Sequence, residues 1–305
     1  MSVPASNLDH GPNSLTAYVG HTPLLALKPD ADNVRLYGKA EWFNPSGSVK
    51  DRSVFSILKT AGAAGLLSGK TILDSTSGNA GIAYAMMGPC LGHNVTLTIP
   101  KNVNEERKQV LRAYGVKLIY TDPLEGSDGA MRKARELHAE KPDEYFYADQ
   151  YSNEANWRGH YETTGIEIWE QTHGAVTHLV AGVGTGGTIM GTGRRLKQFN
   201  PEIKIIAVQP DSPFHGLEGL KHLQTSIMPK IYDPDFPDQT VEVATDMAQK
   251  VVRKLAREGV LIGPSSGAAL AASAIIANDL DSGTIVTILP DGGERYLSER
   301  FWEEQ

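Results

Sequence analysis

The sequence predicts an α/β protein built as two units of mostly parallel sheet covered by helices. Three observations lead there. Short β-branched runs alternate with longer helical patterns, and glycine-rich turns repeatedly separate a run from the pattern that follows it. The chain, at 305 residues, is also longer than one hydrophobic core usually fills.

The elements follow in order. Residues 50–66 carry an amphipathic helical spacing through Phe55, Ile57, Leu58, Ala61 and Leu66. Strands are expected at 71–74, 95–99 and 116–120, with helices at 81–91 and 104–114 between them. A helix at 126–140 and a short extended run at 145–147 close the first unit, centred on residues 70–150. The second unit, 175–290, opens with a strand at 177–181, a helix at 188–199 and a strand at 204–208. Helices near 243–258 and 266–278 and a strand at 284–289 complete it. The stretch 210–239 reads as irregular, and loops of that length are commonly functional.

Composition removes several classes of function. A formal net charge of −7 argues against nucleic acid, which needs a basic face. With Cys90 as the one cysteine, neither an intrachain disulfide nor a cysteine metal cluster can form. No stretch reaches the roughly 18 apolar residues of a membrane span, and residues 1–11 show no charged-then-apolar leader pattern. The expectation is a cytoplasmic protein without membrane attachment. The nine histidines fall in no metal-ligand spacing, so no metal site is expected.

Four segments carry chemistry. Lys50 follows the turn-rich run Asn44-Pro45-Ser46-Gly47-Ser48 and opens the first helix, where the positive end of the dipole disfavours an ammonium. A lysine with a depressed pKa is what imine formation needs, although on position alone a solvated surface lysine is the simpler reading. Ser75-Thr76-Ser77-Gly78-Asn79-Ala80-Gly81 joins a strand to a helix. Its free backbone N–H groups make a carboxylate or phosphate site, more than an N-cap alone requires.

Gly182-Val183-Gly184-Thr185-Gly186-Gly187-Thr188 is a second strand-to-helix turn. Glycines 182, 184 and 187 match the dinucleotide fingerprint, but the acidic residue that reading wants about 20 positions on is displaced, with Asp211 arriving behind Pro210. A phosphate cup for a smaller cofactor fits better. Gly263-Pro264-Ser265-Ser266-Gly267 precedes an alanine-rich helix and serves equally as a plain N-cap or as a site element.

Taken with Tyr18-Val19-Gly20-His21-Thr22-Pro23-Leu24, Gln150-Tyr151-Ser152-Asn153-Glu154-Ala155-Asn156, His160-Tyr161-Glu162-Thr163-Thr164-Gly165 and Pro290-Asp291-Gly292-Gly293-Glu294-Arg295-Tyr296, these segments resemble the cysteine synthase family of fold-type II pyridoxal phosphate enzymes. The resemblance spans nearly the whole chain. It implies a tryptophan synthase β-subunit-like fold of two αβα domains, with the cofactor, pyridoxal 5'-phosphate, in the cleft between them. Residues 1–43 and 154–305 would form the larger domain, and residues 44–153 a smaller one that closes on substrate.

The resemblance also assigns roles. Lys50 would hold the cofactor as a Schiff base and shuttle the α-proton. Asn79 would bond its ring hydroxyl, Gly184, Thr185, Gly186, Gly187 and Thr188 its phosphate, and Ser265 would face the pyridine nitrogen. Thr76, Ser77 and Gln150 would bind the substrate carboxylate. The implied reaction is β-elimination from an activated L-serine, O-acetylserine or O-phosphoserine, to an aminoacrylate. Addition of sulfur then leads to L-cysteine, directly from sulfide, or, where the donor is thiosulfate or a carrier-protein thiocarboxylate, once the sulfonate is removed reductively or the carrier is cleaved off. A homodimer is the family's habit, and serine acetyltransferase or a sulfur-carrier protein are the partners it implies.

Two departures from the family pattern stand out. Ala80 replaces a threonine of the carboxylate loop, at a cost on the order of 1 kcal/mol for a lost hydrogen bond. The segment 211–222 resembles the branch in which a basic residue meets the phosphate of O-phosphoserine, with Lys221 at that place and His222 as a helper. A solvated basic pair is the alternative for these two. For the whole chain the rivals are a cystathionine β-synthase-type replacement with homocysteine, a catalytically silent binding protein on the same scaffold, and a dinucleotide-dependent oxidoreductase.

Overall fold

A computed structural model describes residues 15–28, 33–76 and 78–303. Two separate sheets organise them. The first unit forms a four-stranded, fully parallel sheet of β3 (Thr71–Ser75), β4 (Val95–Pro100), β5 (Lys117–Thr121) and β6 (Tyr145–Tyr147), ordered β5-β4-β3-β6. Its residues face helices on both sides, as parallel sheets require. Ile72, Val95, Leu97 and Ile99 pack with α1 (Lys50–Ala63), α2 (Asn79–Cys90) and α3 (Glu105–Ala113). Leu73 and Tyr145 pack on α4 (Gly126–Glu140). Helix α2 is buried over nearly its whole length, from Ala80 to Gly88, so its apolar residues run all round rather than along one stripe.

The larger sheet runs β1 (Leu24–Leu27), β2 (Val34–Ala40), β10 (Gly283–Leu289), β7 (His178–Gly182), β8 (Lys204–Pro210), β9 (Gln239–Val243). Only β1 is antiparallel to its neighbour. The strand period of two sorts its side chains into two cores. Val180, Ile206, Val208 and Ile285 face α8 (Thr245–Arg257) and α9 (Pro264–Asn278). Leu179, Ala181, Ile205, Ala207, Val286 and Ile288 face α6 (Thr164–Gln171) and α7 (Gly187–Phe199). Helix α5 (Glu154–Glu162) packs against both α1 and α7, so it joins the two units.

The α/β class with mostly parallel sheets is as the sequence predicts, and the differences are local. Strands β1, β2 and β9 and helices α5 and α6 are additional. β9 is a short edge strand at the end of the stretch read as irregular. Helices α2, α7 and α9 begin one or two residues earlier than expected. That shift places Asn79, Gly187 and Ser265 inside first turns, where the unpaired backbone N–H groups of a helix lie.

Candidate active site

The site lies where the ends of both sheets converge. Residues 44–52 are held there by their own side chains. Asn44 accepts from the Gly20 amide at 2.8 Å and donates to Glu41 Oε2 at 2.8 Å. Asp51 Oδ2 accepts from the Ser46 amide at 2.6 Å, closing the turn. Arg52 donates from Nε to Glu41 at 2.7 Å and from Nη1 to Glu167 at 2.7 Å, while Lys39 also meets Glu167, at 2.6 Å. The Val49 amide donates to Pro290 O at 2.8 Å, and Ser48 bridges to Asp291. The first residue of α1 is thereby fixed against the end of β10.

That residue is Lys50. It lines a cavity together with Asn79, Gly184, Thr185, Gly186, Thr188 and Ser265. Burial pushes the Lys50 ammonium below its ordinary range, and the nearby Asp291 carboxylate opposes that shift. Desolvation is therefore the main cause, where the sequence pointed to the helix dipole.

The turn between β7 and α7 forms a cup. Gly186 takes φ of +85°, a left-handed conformation that suits glycine. A Cβ on Gly184 would sit 2.1 Å from Gly219 O, and one on Gly187 would sit 1.8 Å from Asn156 Oδ1, so neither position accepts a side chain. The first turn of α7 holds no acidic residue. Thr185 Oγ1 accepts from Asn156 Nδ2 at 3.1 Å, and Thr188 Oγ1 lies 3.3 Å from His160 Nε2. Burial pushes His160 down to about 3, so its ring is neutral at physiological pH.

An adjoining space in the cleft is lined by Lys50, Thr76, Gly78, Asn79, Ala80, Gln150 and Lys221 among others. Thr76 Oγ1 accepts from the amides of Gly78 and Gly81, at 3.1 and 3.2 Å. Gln150 Nε2 donates to Ser75 O at 2.9 Å. Ser77 falls outside the described residues. Asn79 donates to Asp291 Oδ2 at 2.6 Å, and Arg295 donates to Asn79 Oδ1.

Lys221 is no solvated surface cation. It is buried at the cavity wall, its Nζ 2.8 Å from Asp128 Oδ1 and 5.2 Å from the Tyr151 ring centre. His222 instead bonds Thr225 Oγ1 at 2.8 Å and does not line the cavity.

Several residues at the site carried no assigned role in the sequence. Glu218 reaches from the loop after β8 to Arg107 of α3, over Gly78. With Lys221–Asp128 it makes two ion pairs of opposite polarity across the cleft mouth. Asn156, His160 and Asp291 lie within segments quoted for the resemblance, and the crowding of Gly187 by Asn156 is what gives the first its place. The Arg107–Glu218 pair, 111 positions apart, left no local signal.

The residues fit pyridoxal phosphate. A helix N-terminus lined with glycines and free of acidic side chains suits its phosphate. Lys50 lines the same cavity. Among the described residues, no group of three or more His, Cys, Asp or Glu could hold a metal ion, and no helix is long and apolar enough to cross a membrane.

Comparison with known proteins agrees with this fit. The family described as "Pyridoxal-phosphate dependent enzyme" matches residues 15–291. A protein of Aquifex aeolicus named cysteine synthase is 51% identical, over 94% of this chain and 91% of its own length. Cysteine synthase B of Pseudomonas aeruginosa is 40% identical, over 93% and 96%. The crystal structure of a cysteine synthase from Entamoeba histolytica superposes with a TM-score of 0.91 at 35% identity, covering 100% of this chain and 94% of that one.

Proposed function

Since the chain belongs to the pyridoxal-phosphate-dependent enzymes, among the cysteine synthases, we propose that it makes L-cysteine by replacing the β-substituent of an activated L-serine with sulfur. The observation that carries the reading is the meeting of Lys50, the 184–188 cup and Ser265 around one cavity that opens onto the Thr76–Gln150 side of the cleft.

Bound pyridoxal phosphate supplies an electron sink for bond changes at Cα and Cβ of the amino acid. Lys50 anchors it, then takes and returns the Cα proton, work that its lowered pKa favours at neutral pH. The backbone amides of 184–188 and the Thr185 and Thr188 hydroxyls hold the phosphate, and Asn79 meets the ring hydroxyl. Ser265 offers the ring nitrogen a hydroxyl in place of a carboxylate, which leaves the sink weak and favours loss of a β-leaving group over transamination. Thr76, Ser77 and Gln150 hold the substrate carboxylate. Residues 44–153 act as the smaller domain, whose closure excludes water as lids do. The Arg107–Glu218 and Lys221–Asp128 pairs cross the cleft where that closure would act.

For the leaving group, the burial of Lys221 in the cleft favours an anion, hence O-phosphoserine alongside O-acetylserine. A homodimer in the cytoplasm, working with free sulfide or a sulfur-carrier protein, completes the proposal. The test is a product assay. The protein loaded with pyridoxal phosphate should form cysteine from O-acetylserine or O-phosphoserine with sulfide, and Lys50→Ala should form none. Turnover with homocysteine but not with sulfide would overturn the reading.

A further inference from the structure

A buried carboxyl lies directly beneath the amino-acid end of the cleft. Strands β3 and β6 pair only as far as the Ala148 amide on Leu73 O, at 2.9 Å. There Asp149 adopts φ of +43° and turns the chain away, so the ladder ends before either strand reaches the cleft. Side chains take over. Gln150 Nε2 donates to Ser75 O at 2.9 Å on one side. On the other, Asp74 Oδ1 accepts from the Ser75 amide at 2.8 Å, and the Gln150 amide is directed at the same carboxyl.

The Tyr84 phenol of α2 lies against Asp74, and both side chains are fully buried. Neither Asp74 Oδ2 nor Tyr84 Oη has a hydrogen bond of regular geometry. The other titratable groups around the pair are Tyr147 on β6, with Arg135 of α4 against it, and Asp149 and Tyr151 in the turn that follows.

We propose that Asp74 is a positioning residue for the amino-acid substrate, and that its carboxylate sets the spacing between the Thr76–Asn79 turn and Gln150. The proposal rests on the reading that Thr76 and Gln150 hold the substrate carboxylate. As an anion Asp74 accepts from the Ser75 amide, with the Gln150 amide and the Tyr84 phenol as further donors set around it; as an acid it carries a proton into a space already lined with donors. Burial and Asp149 push it up to about 7, so the brace tightens as pH rises through neutrality.

The experiment titrates O-acetylserine against the cofactor absorbance of the loaded enzyme between pH 6 and 8, without sulfide. Wild-type affinity should rise with pH. In Asp74→Asn the only rise left should be the one that loss of the substrate's ammonium proton gives, and binding should be about five-fold weaker at pH 8, the cofactor band of the free enzyme being unchanged. Tyr84→Phe, which removes a donor to the anion, should keep the rise but move its midpoint to higher pH. Should Asp74→Asn fail to fold, the Tyr84→Phe midpoint decides. A wild-type profile in Asp74→Asn, or an unmoved midpoint in Tyr84→Phe, overturns the proposal. Gln150→Ala separates the two levels. If it weakens binding while the Asp74 and Tyr84 profiles stay wild-type, the brace alone fails; if it leaves binding intact, the carboxylate assignment fails and the brace with it.

Discussion

At the wall of the cleft the ammonium of Lys221 has a counter-ion, Asp128, before any substrate arrives. An anionic leaving group must share or displace that partner, whereas an acetyl group has no such contest. A charge-assisted hydrogen bond contributes about 1.5–3 kcal/mol, and competition from Asp128 favours the lower end. Lys221→Ala should therefore lower kcat/KM on O-phosphoserine by about ten-fold and leave O-acetylserine within about two-fold. Equal losses on both substrates would remove the phosphate reading. The residues legible in the sequence were those whose chemistry is written locally. Asn79 and the 184–188 glycines sit in strand-to-helix turns, where chain order alone predicts free amides. Glu218 and Arg107 were not legible, because their meeting depends on how two distant elements pack. Burial as a cause of the Lys50 shift was not legible for a related reason: burial is set by the fold, while the helix dipole can be read from position.

Among the elements, α1 is the one whose placement matters most, since Lys50 is its first residue. Its anchor is Arg52, buried between Glu41 before the helix and Glu167 of α6. Removing one partner of such a network leaves the others as uncompensated buried charge, at about 3–5 kcal/mol. Arg52→Met should lower the unfolding free energy by that amount at pH 7, measured by urea denaturation. The dependence on pH has a definite sign. Arg52 holds both Glu41 and Glu167 below the usual carboxylate range, against their burial. Their contribution is thus complete above the unfolded value of about 4.3 and is lost as pH falls below it. The gap between wild type and Arg52→Met should shrink below about pH 4, and a gap constant with pH would contradict the network. Periodicity located α1, and α4 at residues 126–140, because each shows one apolar stripe over several turns. It missed α5 and α6, two short helices parted by a break at Thr163 with φ −126° and ψ −71°. β2 was hidden by its polar residues, of which Lys39 is buried against Glu167 rather than exposed.

In the molecule as a whole, two sheets, parallel apart from β1, meet with the ends of β3, β7 and β10 at one cleft. Ligands of open α/β sheets bind beyond the carboxyl ends of the strands, and here both sheets supply such ends to the same cavity. The alternation of strand and helix patterns made the class legible in the sequence. The relative placement of the sheets came from the order of motifs across the chain, because no periodicity encodes it. The central claim is that Lys50 is the residue that holds the cofactor. Loading the protein with pyridoxal phosphate, reducing it with borohydride and mapping the peptides by mass spectrometry tests that claim most directly. The visible absorbance should bleach and the added mass should fall on Lys50, with no label in Lys50→Ala. A label on Lys39 or Lys221 instead, or cofactor recovered entirely free after reduction, would contradict it.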